Sequence, residues 1–490
     1  MAGSRGAERI LNSDKTQFDL EQDQLLQFIL NERYFKPWTL HHNEEFNPNE
    51  LQFTLYPESK LEIYLTSICN QNCEYCYLVK HKGLYPAEFN KPDIILENTQ
   101  KIFDWILKND YMIPEIEFYT GEIWHSDFGL KVLEIGLQAI KRGLKTQGFL
   151  IPSNCSFVLD EIQLAKIQTY IDEYRRLGIN LQFSISVDGA VLENEVRPLR
   201  NGVIKTQDFY DRLFLFAKHN NYFFHPMVAA VSATRWIENY IWWEDMFEKY
   251  DMDIDGLMML EVRNNDWTDE AIEGYNNFMT ALIKKRFKEC NCDPRRFIED
   301  YFCFNGGGLH GYVPYAPAPA DTFAGCTVAS SLCIRAGDLA ICPCHRTAYN
   351  KFLYGYFQLN DNGEIGPIKA SNPQMAVRIL FSNVHSTNFK CDTCIYAPYC
   401  LKGCFGCQFE EEEDPFMPIE GVCKFFEAKW NNIIHQLENL GIIDECRKVS
   451  MYEEGYLRVT DFLNFVGEVK RHEQAMANGG RNVSIRDCLH

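Results

Sequence analysis

The sequence lacks long apolar runs, and this absence excludes membrane-spanning functions. A membrane helix needs about 18 consecutive apolar residues, and no stretch of the chain comes near that length. The segment from Met1 to Ile10 is polar and has no apolar core of the kind found in signal peptides. These features predict a cytoplasmic protein without a membrane partner.

Positive charge is also scarce. Lys and Arg number 48 against 68 Asp and Glu, which gives a net charge of −20. A surface of this sign repels the phosphate backbone unless a local basic groove intervenes, and the sequence contains no basic cluster. We therefore expect no nucleic-acid partner. The 490 residues are 46% hydrophobic, enough for large cores and about three domains.

Cysteine, by contrast, is abundant, with 19 residues. Because the cytosol keeps thiols reduced, metal or cluster ligation is a better interpretation than disulfide bonds. Three cysteines lie within eight residues, and ten lie in the stretch 326–423. The other six are scattered: Cys155, Cys290, Cys292, Cys303, Cys446 and Cys488.

Short apolar runs alternate with helical patterns between Leu61 and Lys288. The six predicted strands are Leu61–Leu65, Glu115–Tyr119, Gly148–Pro152, Asn180–Ser186, Phe224–Ala230 and Gly256–Val262. The six predicted helices lie near Ile94–Leu107, Phe128–Arg142, Leu159–Arg176, Thr206–His219, Ile237–Tyr250 and Thr268–Lys288. This alternation is typical of a parallel (β/α) fold, and an open half-barrel and a doubly wound sheet both fit it. In either fold, ligands lie at the carboxyl ends of the strands.

The first cysteine cluster, formed by Cys69, Cys73 and Cys76, follows the first predicted strand. Three thiolates at this spacing suit three irons of a four-iron, four-sulfur cube, and the fourth iron stays open for an outside ligand. The alternative is a zinc site with a distant fourth ligand. An open iron would imply chemistry at the cluster rather than electron transfer alone.

Cys-x3-Cys-x2-Cys after the first strand of a (β/α) domain resembles the signature of the radical S-adenosylmethionine (SAM) superfamily. The resemblance implies a partial (β/α)6 TIM-like barrel in which the open iron binds SAM. It also implies an enzyme that cleaves SAM to a 5′-deoxyadenosyl radical, which abstracts hydrogen from the substrate. Cys69, Cys73 and Cys76 would then be the catalytic cluster ligands.

Further residues match positions at which this superfamily contacts SAM. They are Tyr77, Gly121, Glu122, Ser153, Ser186, Asp188 and Arg197, with Arg200 as an alternative to Arg197. The segment from Thr120 to Ile123 resembles a Gly-Gly-Glu-Pro motif, although two of its four positions depart from it. Serine and aspartate at strand ends are also common turn or cap residues, so each match alone is weak.

The second cysteine region closely resembles the SPASM domain, a small α+β unit with two auxiliary four-iron clusters. The resemblance implies three 4Fe-4S clusters in all. Its implied ligands are Cys326, Cys333, Cys342 and Cys404 for one auxiliary cluster, and Cys391, Cys394, Cys400 and Cys423 for the other. Cys344 and Cys407 are close enough in sequence to replace a ligand. Structural zinc is the alternative for this region.

The resemblance implies a peptide-modifying enzyme. The expected substrate is a ribosomally made precursor peptide, modified by a thioether, a carbon–carbon cross-link, epimerisation or backbone excision. One alternative is a sulfatase-maturase-like oxidase that forms formylglycine. Members of that group place an Asp directly after the cysteine that corresponds to Cys342, where this chain has Pro343. A non-catalytic zinc-rich binding protein is the alternative from another class.

Expected partners are the peptide, an electron donor such as flavodoxin or ferredoxin, and a separate peptide-recognition protein. The predicted divisions of the chain are an N-terminal extension (1–57), a radical SAM partial barrel (58–290), a linker (291–322), a SPASM domain (323–430) and a helical tail (431–490). Two pairs have open roles. Glu261 and Arg263 fit substrate binding or an ion pair, and His345 and Arg346 fit support of a cluster or an ordinary surface position.

Overall fold

The computed structural model describes residue 24 and the ranges 60–85, 89–300, 331–371, 394–396, 404–448 and 457–477, together with residues 391 and 400. Its main feature is a nine-stranded sheet with the strand order β11-β10-β9-β8-β1-β2-β3-β4-β5, beside a two-stranded sheet of β6 and β7. The strands are β1 Lys60–Thr66, β2 Glu115–Thr120, β3 Gly148–Ser153, β4 Asn180–Ile185, β5 Asn221–Phe224, β6 Met227–Val228, β7 Leu260–Glu261, β8 Ser331–Arg335, β9 Ala340–Cys342, β10 Gly355–Leu359 and β11 Ile365–Ala370.

Helices follow most of the parallel strands. They are α1 Tyr77–Lys80, α2 Pro92–Lys108, α3 Phe128–Lys141, α4 Glu161–Arg176, α5 Glu193–Val196, α6 Gln207–His219, α7 Trp236–Lys249, α8 Asp269–Glu289, α9 Pro294–Ile298, α10 Phe405–Glu412, α11 Glu420–Asn439, α12 Ile442–Cys446 and α13 Leu457–Ala477. No helix in these described ranges is both long and apolar enough to cross a membrane.

The strands from β1 to β5 are parallel and adjacent in chain order. Aromatic rings pack the helices onto one face, as where Phe103 of α2 meets Phe118 of β2. The result is a mixed α/β fold with a large parallel sheet, as predicted in its coarser form.

The opposite face of the sheet carries a polar row. Cross-strand register aligns Cys333 with Glu62 and Glu62 with Glu117, and the row ends at the apolar Leu150 of β3. Glu62 and Glu117 are both buried. This row joins the predicted barrel strands to the first strand of the cysteine-rich region.

The first four predicted strands are confirmed, but the fifth is wrong in its extent. The predicted run Phe224–Ala230 contains the end of β5 and the whole of β6, which belong to different sheets. Pro226 lies between them, and proline has no N–H to donate to a ladder. The predicted sixth strand is also shorter, because only Leu260–Glu261 pairs as β7, with a single bridge at Leu257.

The cysteine-rich region does not form a sheet of its own in the described residues. Strand β8 pairs in parallel with β1, and β9 to β11 continue the same sheet. Helix α11 also crosses the predicted boundary at residue 430. The predicted division into domains therefore stays a prediction, and the extension 1–57, apart from residue 24, lies outside the described residues.

Candidate functional site

The three predicted catalytic cysteines lie in one loop between β1 and α1. Backbone hydrogen bonds of 2.8–2.9 Å tie this loop to the segment 196–200. Cys73 is buried, while Cys69 and Cys76 are half-buried. The carbonyl of Cys76 accepts hydrogen bonds from the backbone of Val79 and Lys80, which starts α1 immediately after the last cysteine.

The thiols of the cysteine loop lie in a largely buried environment. Burial raises the pKa of Cys73 to about 12 and that of Cys69 to about 11, with a smaller contribution from the neighbouring thiols. The Arg197 guanidinium acts in the opposite direction on both. No group of three or more His, Cys, Asp or Glu in the described part of the chain is placed to hold a single metal ion. The thiolates of a four-iron cluster bind separate irons, so they need not converge on one point.

Glu122 joins the end of β2 to the end of β3. Its carboxylate accepts hydrogen bonds from the backbone N–H of Asn154 at 2.7 Å and of Trp124 at 3.2 Å, and from the Ser153 hydroxyl at 3.1 Å. Burial raises the pKa of Glu122 to about 7, although these hydrogen bonds oppose the rise. All of these contacts are neutral donors. No Lys or Arg of the described residues lies within ion-pair distance of Glu122, and the more distant Lys205 opposes the rise in its pKa less than the hydrogen bonds do.

Gly121 is required by a close backbone approach. A Cβ at this position would lie 2.3 Å from the carbonyl oxygen of Ile68 in the cysteine loop. The N–H of Glu122 donates to the same oxygen at 2.9 Å. Any larger residue would therefore push the end of β2 away from the cysteine loop. Gly121 thus allows the end of β2 to contact this loop.

Asp188 and Arg197 lie together in a buried ionic group. An Asp188 carboxylate oxygen lies 3.2 Å from Nη1 of Arg197 and also accepts the N–H of Met227 at 2.9 Å. The other oxygen accepts the hydroxyl of Tyr75 at 2.5 Å. Because Tyr75 lies between Cys73 and Cys76, this group holds the cysteine loop to the end of β4.

A second pair extends the ionic group. Glu193 forms a buried ion pair with Lys205 and accepts a hydrogen bond from the Gln71 side chain at 3.3 Å. It also receives the backbone N–H of Asp188 at 2.7 Å. Two carboxylates and two cations, the second being Arg197, balance in charge, as buried ions must. The predicted SAM roles of Asp188 and Arg197 are untested and stay predictions.

Tyr77 and Tyr75 differ in their surroundings. The Tyr77 ring lies against Tyr85, with ring centroids 5.6 Å apart, and under the Arg346 guanidinium. Tyr75 lines a cavity of about 510 Å³ whose other walls include Ala229 and Thr268. Tyr75, which the sequence analysis did not select, therefore borders open space.

The remaining predicted contacts lie at the same end of the sheet. Ser186 follows β4, and its N–H donates to the carbonyl of Ser153 at 2.7 Å. Arg200 donates through Nε to the carbonyl of Gln71 at 2.9 Å, which engages it with the cysteine loop. Asn70 of the loop also accepts a hydrogen bond from Asn154 at 2.8 Å. The ends of β2, β3 and β4 thus all reach the loop or its direct partners.

The second cysteine region is described in part. Cys333 and Cys342 are cross-strand partners, and their buried thiols are in contact. Cys344 lies near Cys333, and Cys404 lies in contact with Cys407. The structure therefore brings the predicted ligands and their alternatives together without choosing between them. The predicted ligand Cys326 lies outside the described residues. Cys391, Cys394, Cys400 and Cys423 are described only as single positions or at the start of α11.

The two open pairs of the sequence analysis resolve differently. Glu261 forms an ion pair of 2.5 Å with Lys429 of α11 and accepts the Tyr275 hydroxyl at 2.7 Å. Of the two alternatives, substrate binding and an ion pair, the structure therefore favours the ion pair for Glu261. His345 stacks on Tyr119 with ring centroids 3.5 Å apart, and it contacts buried Glu62, so it is not an ordinary surface residue.

Sequence reasoning missed Gln71, Tyr75, Glu193 and Lys205. The first two stand inside the cysteine motif, so their position was a usable signal. No sequence pattern marked the buried Glu193–Lys205 pair, because it depends on the path of the chain after β4.

No protein-family model matches the sequence, and no curated protein matches it. Solved structures do match the fold. Native anSMEcpe with bound AdoMet and the Cp18Cys peptide gives a TM-score of 0.51 at 14% identity, over 78% of this chain and 98% of that chain. Native anSMEcpe with AdoMet and the Kp18Cys peptide gives 0.50 at 14% identity, over 78% and 99%. Native anSMEcpe with AdoMet alone gives 0.50 at 13% identity, over 78% and 98%. The chain shares the fold of these structures, so the predicted resemblance in fold is confirmed.

Proposed function

We propose that the chain is a radical SAM/SPASM enzyme that modifies a peptide. The observation that carries this proposal is the three-cysteine loop at the carboxyl end of β1, braced by residues from the ends of the next three strands. When bound there, a 4Fe-4S cluster would supply the electron that cleaves SAM to a 5′-deoxyadenosyl radical, which abstracts hydrogen from the peptide. The residues of the chain bind, orient and enclose these groups.

The loop residues would hold the cluster, and the strand ends would hold SAM. Cys69, Cys73 and Cys76 supply the thiolates. Glu122 carries a buried carboxylate with neutral donors only, so it suits the ammonium group of SAM. Arg197 opposes the rise in the pKa of Cys69 and Cys73 that burial causes, so it would help to stabilise these two thiolates.

The peptide substrate has support from the fold neighbours. anSMEcpe is an anaerobic sulfatase-maturating radical SAM/SPASM enzyme, and two of its structures contain peptides. We infer a ribosomally made precursor peptide as the substrate, an electron donor such as flavodoxin or ferredoxin, and two auxiliary 4Fe-4S clusters in the second cysteine region. A separate recognition protein is a further proposal, and full turnover by the enzyme and its peptide alone would remove it.

Formylglycine formation is the second candidate, because the matched structures are sulfatase-maturating. The position after Cys342 argues against it. Pro343 has no group that can accept a proton, whereas members of that group use an Asp there. A peptide whose Cys or Ser is converted to formylglycine by the purified enzyme would favour this candidate over cross-linking or epimerisation.

The test is release of 5′-deoxyadenosine from SAM by anaerobically purified, dithionite-reduced protein. We expect the wild type to release it and Cys73→Ala to release none. Cys155→Ala is the matched control, since Cys155 is also a buried cysteine but lies outside the loop. If the wild type is inactive after cluster reconstitution, or if Cys73→Ala retains activity, the proposal is wrong.

A further inference from the structure

Arg346 lies where three segments of the chain meet. Its guanidinium donates to one carboxylate oxygen of Glu410 in α10, through Nε at 3.1 Å and Nη2 at 2.6 Å. Its carbonyl accepts the Tyr85 hydroxyl at 2.9 Å. Its aliphatic part packs on Gly406, where a Cβ would lie 2.7 Å from Cγ of Arg346. The side chain is therefore held on several sides.

The same guanidinium covers the aromatic ring of Tyr77. Its central carbon lies 4.6 Å from the ring centroid, a distance at which cation–π attraction is effective. Tyr77 is the first residue of α1 and directly follows Cys76. Tyr85 contacts the Tyr77 ring as well. The end of the cysteine loop is thus fixed by a cation that belongs to the C-terminal region.

The Glu410 carboxylate keeps this cation in place. Only 1% of the Glu410 side chain is exposed, against 26% of the Arg346 side chain. A planar guanidinium can donate to a carboxylate through two nitrogens and stack on a ring at the same time, and a lysine ammonium cannot do both. The arrangement therefore requires an arginine at position 346 and the carboxylate of Glu410, and a positive charge alone would not be enough.

We propose that Arg346 is a positioning residue for the SAM site: by clamping Tyr77 it fixes the Cys76 end of the cysteine loop, so that SAM binding depends on the C-terminal region. This inference rests on the proposed function, because it assumes that the loop holds the SAM-binding cluster. It assigns to Tyr77 a role in holding the loop, in place of the SAM contact that its position in the sequence suggested.

Loss of the clamp should weaken SAM binding without removing the cluster. We expect Arg346→Met to raise the Kd for SAM about 2- to 30-fold, the range that corresponds to one cation–π contact. Arg346→Lys should fall between Arg346→Met and the wild type. Lys351→Met is the matched control, because Lys351 places its ammonium over the Phe409 ring at 5.0 Å in the same region. It should bind SAM like the wild type.

The experiment measures SAM binding by anaerobic calorimetry and the change in the electron paramagnetic resonance spectrum of the reduced cluster when SAM is added. A double-mutant cycle with Tyr77→Leu separates a clamp from a general structural role. If Arg346 acts through Tyr77, the double variant should bind SAM no more weakly than the weaker single variant. The spectral change on SAM addition should be altered in all three variants.

Two results would overturn the inference alone: unchanged SAM affinity in Arg346→Met, or effects of the two substitutions that multiply. If Arg346→Met does not fold, Arg346→Met combined with Glu410→Gln removes both charges, and the same two outcomes apply to it. A wild-type protein that holds no cluster and binds no SAM would overturn the proposed function together with the inference.

Discussion

Two buried carboxylates near strand ends are held in opposite ways. Glu261 of β7 has its own cation, Lys429, and Glu122 at the end of β2 has only neutral hydrogen-bond donors. Burial by itself would raise the pKa of Glu261, but Lys429 outweighs it and the pKa is lowered. The pKa of Glu122 is raised to about 7. A carboxylate that lacks a cation in the folded chain is the better candidate for binding a cationic ligand.

The largest expected effect comes from breaking the paired site. Lys429→Met leaves Glu261 buried without its cation, and such a loss costs about 3–5 kcal/mol of the free energy of unfolding. Chemical denaturation measures this loss. The double variant Lys429→Met, Glu261→Gln should recover most of the stability, and a single variant as stable as the wild type would show that the pair is unimportant.

The two carboxylates should also give the protein opposite pH dependences. Glu122 binds its proton more tightly when folded, so its contribution to stability is lost as pH rises from about 4.5 to about 7. The corresponding change is about 3 kcal/mol. Glu261 binds its proton more weakly when folded, so its contribution is present above about pH 4.5 and is lost as pH falls through its lowered pKa.

Denaturation curves of the wild type minus those of Glu122→Gln, recorded across this range without SAM, isolate the first effect. The same subtraction with Glu261→Gln, recorded below about pH 4.5, isolates the second effect. Slopes of the same sign in the two difference curves would contradict the contrast.

If the contrast between the two carboxylates is functional, SAM binding should depend on Glu122 and not on Glu261. Glu122→Gln keeps one amide oxygen for the Asn154 N–H and leaves only the longer Trp124 hydrogen bond of 3.2 Å without its acceptor, so the protein should fold. It removes the charge, and one charge-assisted hydrogen bond is worth about 1.5–3 kcal/mol, or roughly 10- to 150-fold in the Kd for SAM. Glu261→Gln is the control, and calorimetry should give it the wild-type affinity. Equal affinities for SAM in the Glu122→Gln variant and the wild type would remove Glu122 from the site.

The smallest effect tests the contact between the end of β2 and the cysteine loop. Gly121→Ala places a Cβ against the Ile68 carbonyl, and such overpacking costs about 1–3 kcal/mol. Iron bound per chain should fall as well, since the loop shifts. Gly83→Ala is the control, because its Cβ would meet nothing within 4 Å. A stable Gly121→Ala variant with full iron content would show that the contact is loose.

Much of the parallel sheet could be predicted from local sequence patterns. Alternating apolar runs and helical periodicity placed β1 to β4 within a residue or two of their ends, and the cysteine spacing identified a loop that the fold does place at a strand end. The break at Pro226 was readable too, because proline within an apolar run signals an interrupted ladder, but the predicted strand ran through it.

The pairing of strands that are distant in the chain could not be predicted from the sequence. Strand β8 pairs with β1 across more than 250 residues of chain, and no local periodicity encodes such a partner. The different surroundings of Tyr75 and Tyr77 could not be predicted for a related reason. Both flank Cys76, and their different surroundings depend on where α1 begins and on Arg346 from a distant segment.

The central claim is tested most directly by counting iron, acid-labile sulfide and zinc per chain on protein purified without oxygen. The account predicts about 12 irons, as three four-iron clusters require, with matching sulfide and little zinc. About four irons would keep the SAM cluster and remove the auxiliary clusters. Stoichiometric zinc without iron, even after reconstitution, would contradict the account.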